Sequence, residues 1–95
     1  MLTPKERSHL KSLANHLGPS LIIGKGDITD NMIASIKQAL EAHELIKIKL
    51  LVNALPPNDA AGIITHKTGA DLVSIIGRVI TIYKKNPKKN IIKLK

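Results

Sequence analysis

The fold is decided by the stretch LIKIKLLV, residues 45–52. Ile46, Ile48 and Leu50 occupy alternate positions, and Lys47 and Lys49 lie between them. Successive side chains of a strand point to opposite faces of a sheet. The stretch therefore predicts a half-buried strand that presents two lysines on its wetter face.

The residues before this strand predict a strand–helix–strand unit. A short apolar run, residues 20–23, precedes the turn Gly24-Lys25-Gly26-Asp27. A helix then begins near Thr29 or Asp30, either of which can cap it. Its apolar stripe is Met32, Ile33, Ile36, Ala39, Leu40 and His43. Two strands joined this closely through a helix predict a βαβ unit with parallel strands and a right-handed crossover.

Start and stop residues mark the first helix. Thr3 and Glu6, with Pro4 at the first helical position, predict a capping box. Gly18-Pro19 is expected to end this helix, because glycine and proline terminate helices.

A third helix and a hairpin are predicted in the second half of the chain. Asn58 or Asp59 caps the helix, and Gly69 ends it. Residues 71–76 and 79–84 then form two strands around Gly77-Arg78, which suits a type II′ turn. The predicted pairs are Ile75 with Ile80, Val73 with Ile82, and Ser74 with Thr81.

The element order α-β-α-β-α-β-β predicts an α/β fold of the two-layer α+β kind. We expect a four-stranded mixed sheet with helices packed mainly on one face, so that one face is dry and the other wetter. Ninety-five residues make one domain, residues 1–85, followed by a basic C-terminal tail, residues 86–95.

The charge is concentrated at the C-terminal end. The formal net charge is +8, and seven basic residues without any acid follow Gly77. A nearly balanced body with a cationic end predicts a polyanionic partner, and nucleic acid is the commonest one. The alternative is that these charges only form a solvated, solubilising surface.

The main candidate site is the turn Gly24-Lys25-Gly26-Asp27. It follows a strand and opens a helix, where unpaired N–H groups and a partial positive charge favour a phosphate. The alternative is that the glycines only permit a tight connection. The turn matches neither a nucleotide P-loop nor the dinucleotide fingerprint.

Several functions find no support in the composition. The chain has no Cys, and its four histidines lack metal-ligand spacing, so no metal site or cofactor is expected. No nucleophile motif is present, and we expect no enzyme and no small-molecule substrate. No apolar run spans a membrane, which predicts a cytoplasmic protein. Tyr83 is the only aromatic residue, so contact with backbone phosphates is expected rather than base stacking.

Four segments together resemble the bacterial YhbY-like proteins, which are stand-alone CRM domains (chloroplast RNA splicing and ribosome maturation). They are LTPKER at residues 2–7, LIIG at 21–24, NMIASIKQALEAHELIKIK at 31–49 and IIGRVITIYK at 75–84. The resemblance implies a fold similar to the C-terminal domain of translation initiation factor three. It implies RNA binding, a CRM-like domain over residues 1–85, and an association with precursors of the large ribosomal subunit.

The resemblance also implies that a GxxG-like loop contacts RNA, and this loop corresponds to residues 24–27. Here the second glycine is Gly26 and the fourth position is Asp27, so the strict GxxG is broken. We predict a monomer that presents this loop and a set of cations to the same ribosomal RNA. The predicted contact residues are Gly24, Lys25, Gly26, Asp27, Lys47, Lys49, Arg78, Lys84 and Lys85. The alternative is a protein–protein adaptor that docks on ribosomal or translation proteins.

Overall fold

Seven helices and strands follow one another in the predicted order. A computed structural model describes residues 2–24, 26, 28–86, 88 and 92. Its elements are α1 (Pro4–Ala14), β1 (Leu21–Ile23), α2 (Asp30–His43), β2 (Leu45–Leu50), α3 (Pro57–Thr68), β3 (Asp71–Ile76) and β4 (Val79–Tyr83). The predicted fold class is confirmed, and strand ends differ from the predicted ones by two residues at most.

Helix α1 begins where predicted and ends earlier. The Thr3 N–H donates to Glu6 Oε1 (2.9 Å) and the Glu6 N–H donates to Thr3 Oγ1 (3.1 Å), so the capping box is confirmed. The prediction that Gly18-Pro19 ends the helix is wrong, because its last residue is Ala14. The N–H groups of His16 and Leu17 reach back only three residues, to the carbonyls of Leu13 and Ala14, and this tighter turn ends the helix before the glycine.

Helix α2 is capped by Thr29, one of the two predicted residues. The Thr29 hydroxyl oxygen accepts a hydrogen bond from the Met32 N–H at 3.2 Å. Ile33, Ile36 and Leu40 are buried as the stripe predicts, whereas His43, at the last helical position, is exposed.

Helix α3 begins two or three residues earlier than a cap at Asn58 or Asp59 would place it. Pro57 is its first residue, and neither Asn58 nor Asp59 caps it. Proline suits the first helical position because its φ is already helical and it has no N–H to satisfy. Gly69 ends the helix at φ +75°, as predicted.

The sheet has the strand order β1-β2-β4-β3. Strands β1 and β2 are parallel, which confirms the βαβ unit, and β4 is antiparallel to both of its neighbours. In the hairpin turn Gly77 has φ +58°, which is the conformation that the first position of a type II′ turn requires.

One predicted pair of the hairpin is wrong. Ile75 pairs with Ile80 and Ser74 with Thr81 as predicted, but Ile82 pairs with Leu72. The register shifts between Leu72 and Ser74, so Val73 is the extra residue of a bulge. The bulge lets Val73 pack in a cluster with α1 instead of facing the other two helices.

The helices cover both faces of the sheet unequally. Helices α2 and α3 bury one face, and the core there is mostly isoleucine, leucine and alanine. Helix α1 covers part of the opposite face through Leu10 and Ala14, which pack with Leu45, Val73 and Tyr83. The expectation of a wetter face therefore fails at the end of the sheet that α1 covers. It holds only towards the Gly77-Arg78 hairpin.

Candidate nucleic-acid interface

The segments after β1 and β2 and the β3–β4 turn meet at one end of the sheet. The Leu51 N–H donates to the Ile23 carbonyl (2.9 Å), and the Leu50 N–H donates to the Arg78 carbonyl (2.8 Å). A Cβ on Gly24 would lie 3.5 Å from Leu51 Cδ1. Arg78 Nη1 lies 3.5 Å from the Leu51 carbonyl oxygen. Gly24 and Arg78 are therefore neighbours of one residue, Leu51, and we call this the hairpin end of the sheet.

The α2 entrance beside Gly24 is partly satisfied by protein groups. The Thr29 hydroxyl oxygen accepts the hydrogen bond from the Met32 N–H. Asp30 places a negative charge in the first turn of α2, where it interacts favourably with the helix dipole. Gly26 is exposed and has φ +102°, a conformation that favours glycine. Lys25 and Asp27 lie outside the described residues, so their predicted contacts stay predictions.

A row of side chains crosses all four strands at the hairpin end. Ile22 is in register with Lys49, Lys49 with Val79, and Val79 with Ile76. Side chains in register lie on the same face of a sheet. Ile22 and Ile76 are 63% and 67% exposed, and Lys49 is exposed. This row therefore presents one cation, Lys49, among apolar side chains, beyond the part of the face that α1 covers.

Lys47 lies one row further from the hairpin and has a structural contact of its own. It is half-buried, and its Nζ lies 3.1 Å from the Leu17 carbonyl oxygen in the connection after α1. With Lys11 and Asn15 of the α1 end it lines a cavity of about 270 Å³. Lys47 therefore adds charge to this face while it fixes the end of the α1 segment.

Lys84 and Lys85 lie at the other end of the sheet. Strand β4 separates Arg78 from Lys84 by six residue steps, or roughly 20 Å at the rise of a strand. Lys84 Nζ lies 2.7 Å from the carbonyl oxygen of Thr68, the last residue of α3. The predicted contact residues therefore do not form one cluster: Gly24, Lys49 and Arg78 come together, and Lys84 and Lys85 lie away from them.

Tyr83 is 3% exposed and belongs to the cluster under α1. Burial raises the pKa of its hydroxyl, and the negative charges of Glu44, Glu6 and Asp71 raise it further. Because it is the only Phe, Tyr or Trp residue of the chain, none of these three ring types is available at the surface to stack on a base.

The described part of the chain has neither a candidate metal site nor a candidate membrane span. Its histidine and acidic side chains form no group of three or more that would hold a metal ion. None of its helices has both the length and the apolar character of a membrane span.

The chain is similar to known proteins along nearly its whole length. Residues 2–84 match the model of the CRS1 / YhbY (CRM) domain. The probable RNA-binding protein YqeI of Bacillus subtilis is 42% identical over 95 residues, which cover 99% of each chain. A probable RNA-binding protein of Pseudomonas aeruginosa is 38% identical over 93 residues, which cover 94% of this chain and 86% of that protein. The solution structure of the hypothetical protein SAV1595 from Staphylococcus aureus matches with a TM-score of 0.84 at 38% identity, over 100% of both chains.

Proposed function

The chain belongs to the CRS1 / YhbY (CRM) domain family, and we propose that it binds RNA through backbone phosphates at the hairpin end of its sheet. The observation that carries this proposal is the convergence of Gly24, Lys49 and Arg78 there. Lys49 and Arg78 supply charge, and the glycine turn lets a backbone approach closely. The relatives named above support the choice of RNA as the polyanion.

The proposed binding mode reads shape and charge, with little base preference. The buried Tyr83 leaves phosphates and ribose as the groups that this surface is equipped to contact. Ile22 and Val79 are the register partners on either side of Lys49, so they place apolar surface for ribose carbons next to the cation that attracts the phosphate.

A more specific proposal concerns which RNA the chain binds and in which particle it does so. We propose that the chain acts as a monomeric assembly factor on ribosomal RNA in precursors of the large subunit, in the cytoplasm. It needs no cofactor and catalyses no reaction in this role. Sucrose-gradient sedimentation of a cell extract, with and without nuclease, tests whether the chain associates with these precursors through RNA. Co-migration with immature large particles that nuclease abolishes is expected, and migration only at the top of the gradient would contradict it.

RNA binding itself is tested by titrating a labelled structured RNA at several salt concentrations. The double variant K49A/R78A should bind more weakly and show a log–log salt slope smaller by about two, since each lysine or arginine on a phosphate contributes about one. K5A/K67A removes the same charge from exposed positions on α1 and α3 and is the matched control. Equal slopes for the two double variants would contradict the proposed site.

One observation favours a second function, that of a protein–protein adaptor. Ile22, Ile76 and Val52 are 63%, 67% and 81% exposed, and all three lie towards the hairpin end. Ile22 and Ile76 lie on the two edge strands of the sheet, and several exposed apolar side chains at one end of a fold can mark a protein interface. An adaptor would retain its ribosomal partner after nuclease treatment, whereas the RNA-binding function predicts that nuclease releases it.

A further inference from the structure

Glu44 occupies an unusual position between α2 and β2. It is fully buried, and its φ of +63° is the only positive φ among the non-glycine residues described. Its N–H donates to the Leu40 carbonyl and ends α2. Glycine is the common residue in such a conformation, and glutamate is rarely buried without partners. A glutamate that is fully buried is therefore expected to have hydrogen-bond partners for its carboxylate.

The Glu44 carboxylate binds the C-terminal segment at two points. Its Oε2 accepts a hydrogen bond from the Asn86 N–H at 2.5 Å, and its Oε1 accepts one from the Ile92 N–H at 2.6 Å. The Glu44 carbonyl also accepts from the Lys84 N–H at 2.9 Å. Hydrogen bonds to a buried carboxylate are strong, because the charge has lost its water. The segment after β4 is therefore tied back to the body of the fold.

Further contacts fix the course of the segment beside Asn86. The Asn86 side-chain amide donates to the Glu41 carbonyl at 2.9 Å, and its oxygen accepts from the Lys88 N–H at 3.0 Å. Ile92 packs against the cluster under α1. The positions of Lys85 and Lys88 thus depend on the contacts that Asn86 makes with α2 and Glu44.

These two lysines complete a cationic groove. A cavity of about 640 Å³ lies between α2, the end of α3 and the C-terminal segment. Among the described residues, four lysines and a single acid, Glu41, line it. The lysines are Lys37, Lys84, Lys85 and Lys88. All four are exposed, and the contact of Lys84 with Thr68 holds its ammonium group at the α3 end of the groove.

We infer that this groove is a second anion site, which binds the phosphodiester backbone of an RNA strand, and that Glu44 is the positioning residue that builds it. The inference rests on the proposed RNA binding and adds a separate site to it. The groove and the hairpin end lie at opposite ends of the sheet, roughly 20 Å apart along β4. The bound RNA therefore presents two backbone segments to the protein, one at each end.

The test uses a fluorescently labelled RNA hairpin with a single-stranded arm on each side, titrated at several salt concentrations. K85A/K88A is expected to lower the log–log salt slope by about two and to weaken binding about ten-fold at low salt. K5A/K67A is the matched control and should change both much less. Wild-type slopes in K85A/K88A would overturn the groove while leaving the proposed function intact. Absence of binding by the wild type would instead overturn the proposed function.

The positioning role is tested by E44Q. This change replaces one carboxylate oxygen by an NH₂ group, which cannot accept the hydrogen bond from the N–H group that faces it. Hydrogen exchange of the Asn86 amide should become faster, and the salt slope should fall towards that of K85A/K88A. Combining E44Q with K85A/K88A should then weaken binding no further, because both changes remove the same contact. Additive losses would show that Glu44 acts only on the general stability of the fold.

A third variant covers the case in which E44Q does not fold. N86A removes the side-chain contacts with Glu41 and Lys88 and leaves the Glu44 carboxylate in place. N86A is expected to lower the salt slope, because Lys85 and Lys88 would no longer be held in the groove. A folded N86A protein with the wild-type slope would overturn the positioning of the groove by this segment.

Discussion

Ile22 of β1 and Lys49 of β2 are register partners, so their side chains lie side by side on the same face of the sheet. Ile22 is 63% exposed, although a side chain of this kind is usually buried. The pair combines an apolar contact surface with a cation beside the Gly24 turn. This combination suits a ribose–phosphate backbone, which presents apolar sugar carbons next to anionic oxygens.

Replacing Lys49 by alanine should weaken binding to all RNAs alike. One lost phosphate contact lowers the log–log salt slope by about one and leaves sequence preference unchanged. Fluorescence anisotropy with two unrelated RNA sequences, at a series of salt concentrations, measures both quantities. K5A, at an exposed position on α1, is the single-charge control. A changed preference between the two RNAs would point to base reading instead.

Replacing Gly26 by alanine should strain the loop at the hairpin end. Gly26 has φ +102°, where a Cβ is disfavoured although the surrounding space is open. We expect a loss of about 1 kcal/mol in the free energy of unfolding, measured by urea denaturation, together with weaker RNA binding. G18A is the control, since Gly18 has open space and no positive φ. Equal stability of the two variants would mean that the loop accommodates the strain.

The capping box should make stability depend on acid pH through Glu6. The pKa of the Glu6 carboxyl lies below its ordinary value, mainly because it accepts a hydrogen bond from the Thr3 N–H, and the Thr3 hydroxyl adds to the effect. A carboxyl whose pKa is lowered by folding stabilises the fold above its unfolded pKa, and this stabilisation is lost as pH falls through the folded pKa. E6Q should therefore melt below the wild type at neutral pH.

The difference between E6Q and the wild type should close on acidification below the ordinary carboxyl pKa. Thermal unfolding followed by circular dichroism from neutral to about pH 3 measures it. E41Q removes a carboxylate that caps no helix and serves as the control. A difference in Tm that stays constant over this range would contradict a role of the ionised Glu6 in the cap.

Replacing Tyr83 by phenylalanine should leave the protein as stable or raise the free energy of unfolding by up to about 1 kcal/mol. The Tyr83 hydroxyl is buried without a hydrogen-bond partner among the described residues, so its removal loses no bond. Its pKa is raised by burial first and by Glu44, Glu6 and Asp71 next. The unfolded chain therefore ionises first, and stability falls as pH rises past the ordinary tyrosine pKa.

The loss of stability at alkaline pH should be smaller in Y83F than in the wild type. Urea denaturation of both proteins from about pH 9 to about pH 11 isolates the tyrosine, because all lysines are shared. A marked loss of stability in Y83F at neutral pH would mean that the hydroxyl has a partner after all.

Local signals in the sequence predicted the order of the elements and much of the topology. The Thr3–Glu6 box, the alternation around Lys47 and the Gly77-Arg78 turn each depend on neighbours close in the chain, and each is found where predicted. The short connection through α2 was enough to predict parallel pairing of β1 and β2. The family resemblance is also confirmed over residues 2–84.

What the sequence did not predict depends on contacts between distant residues. The bulge at Val73 follows from packing against α1, more than fifty residues earlier in the chain. The separation of Lys84 from the Gly24 turn follows from the antiparallel course of β4. The burial of Glu44 follows from the return of Asn86 and Ile92 to its carboxylate, a contact across more than forty residues of sequence.

The most direct test of the central claim is an RNA titration followed by amide chemical shifts in the NMR spectrum of the full chain. If RNA binds at the hairpin end, the amides of Gly24, Lys49, Leu51 and Arg78 should shift in a saturable and salt-sensitive manner. RNA binding that leaves these four amides unchanged, or no binding at low salt, would contradict the account.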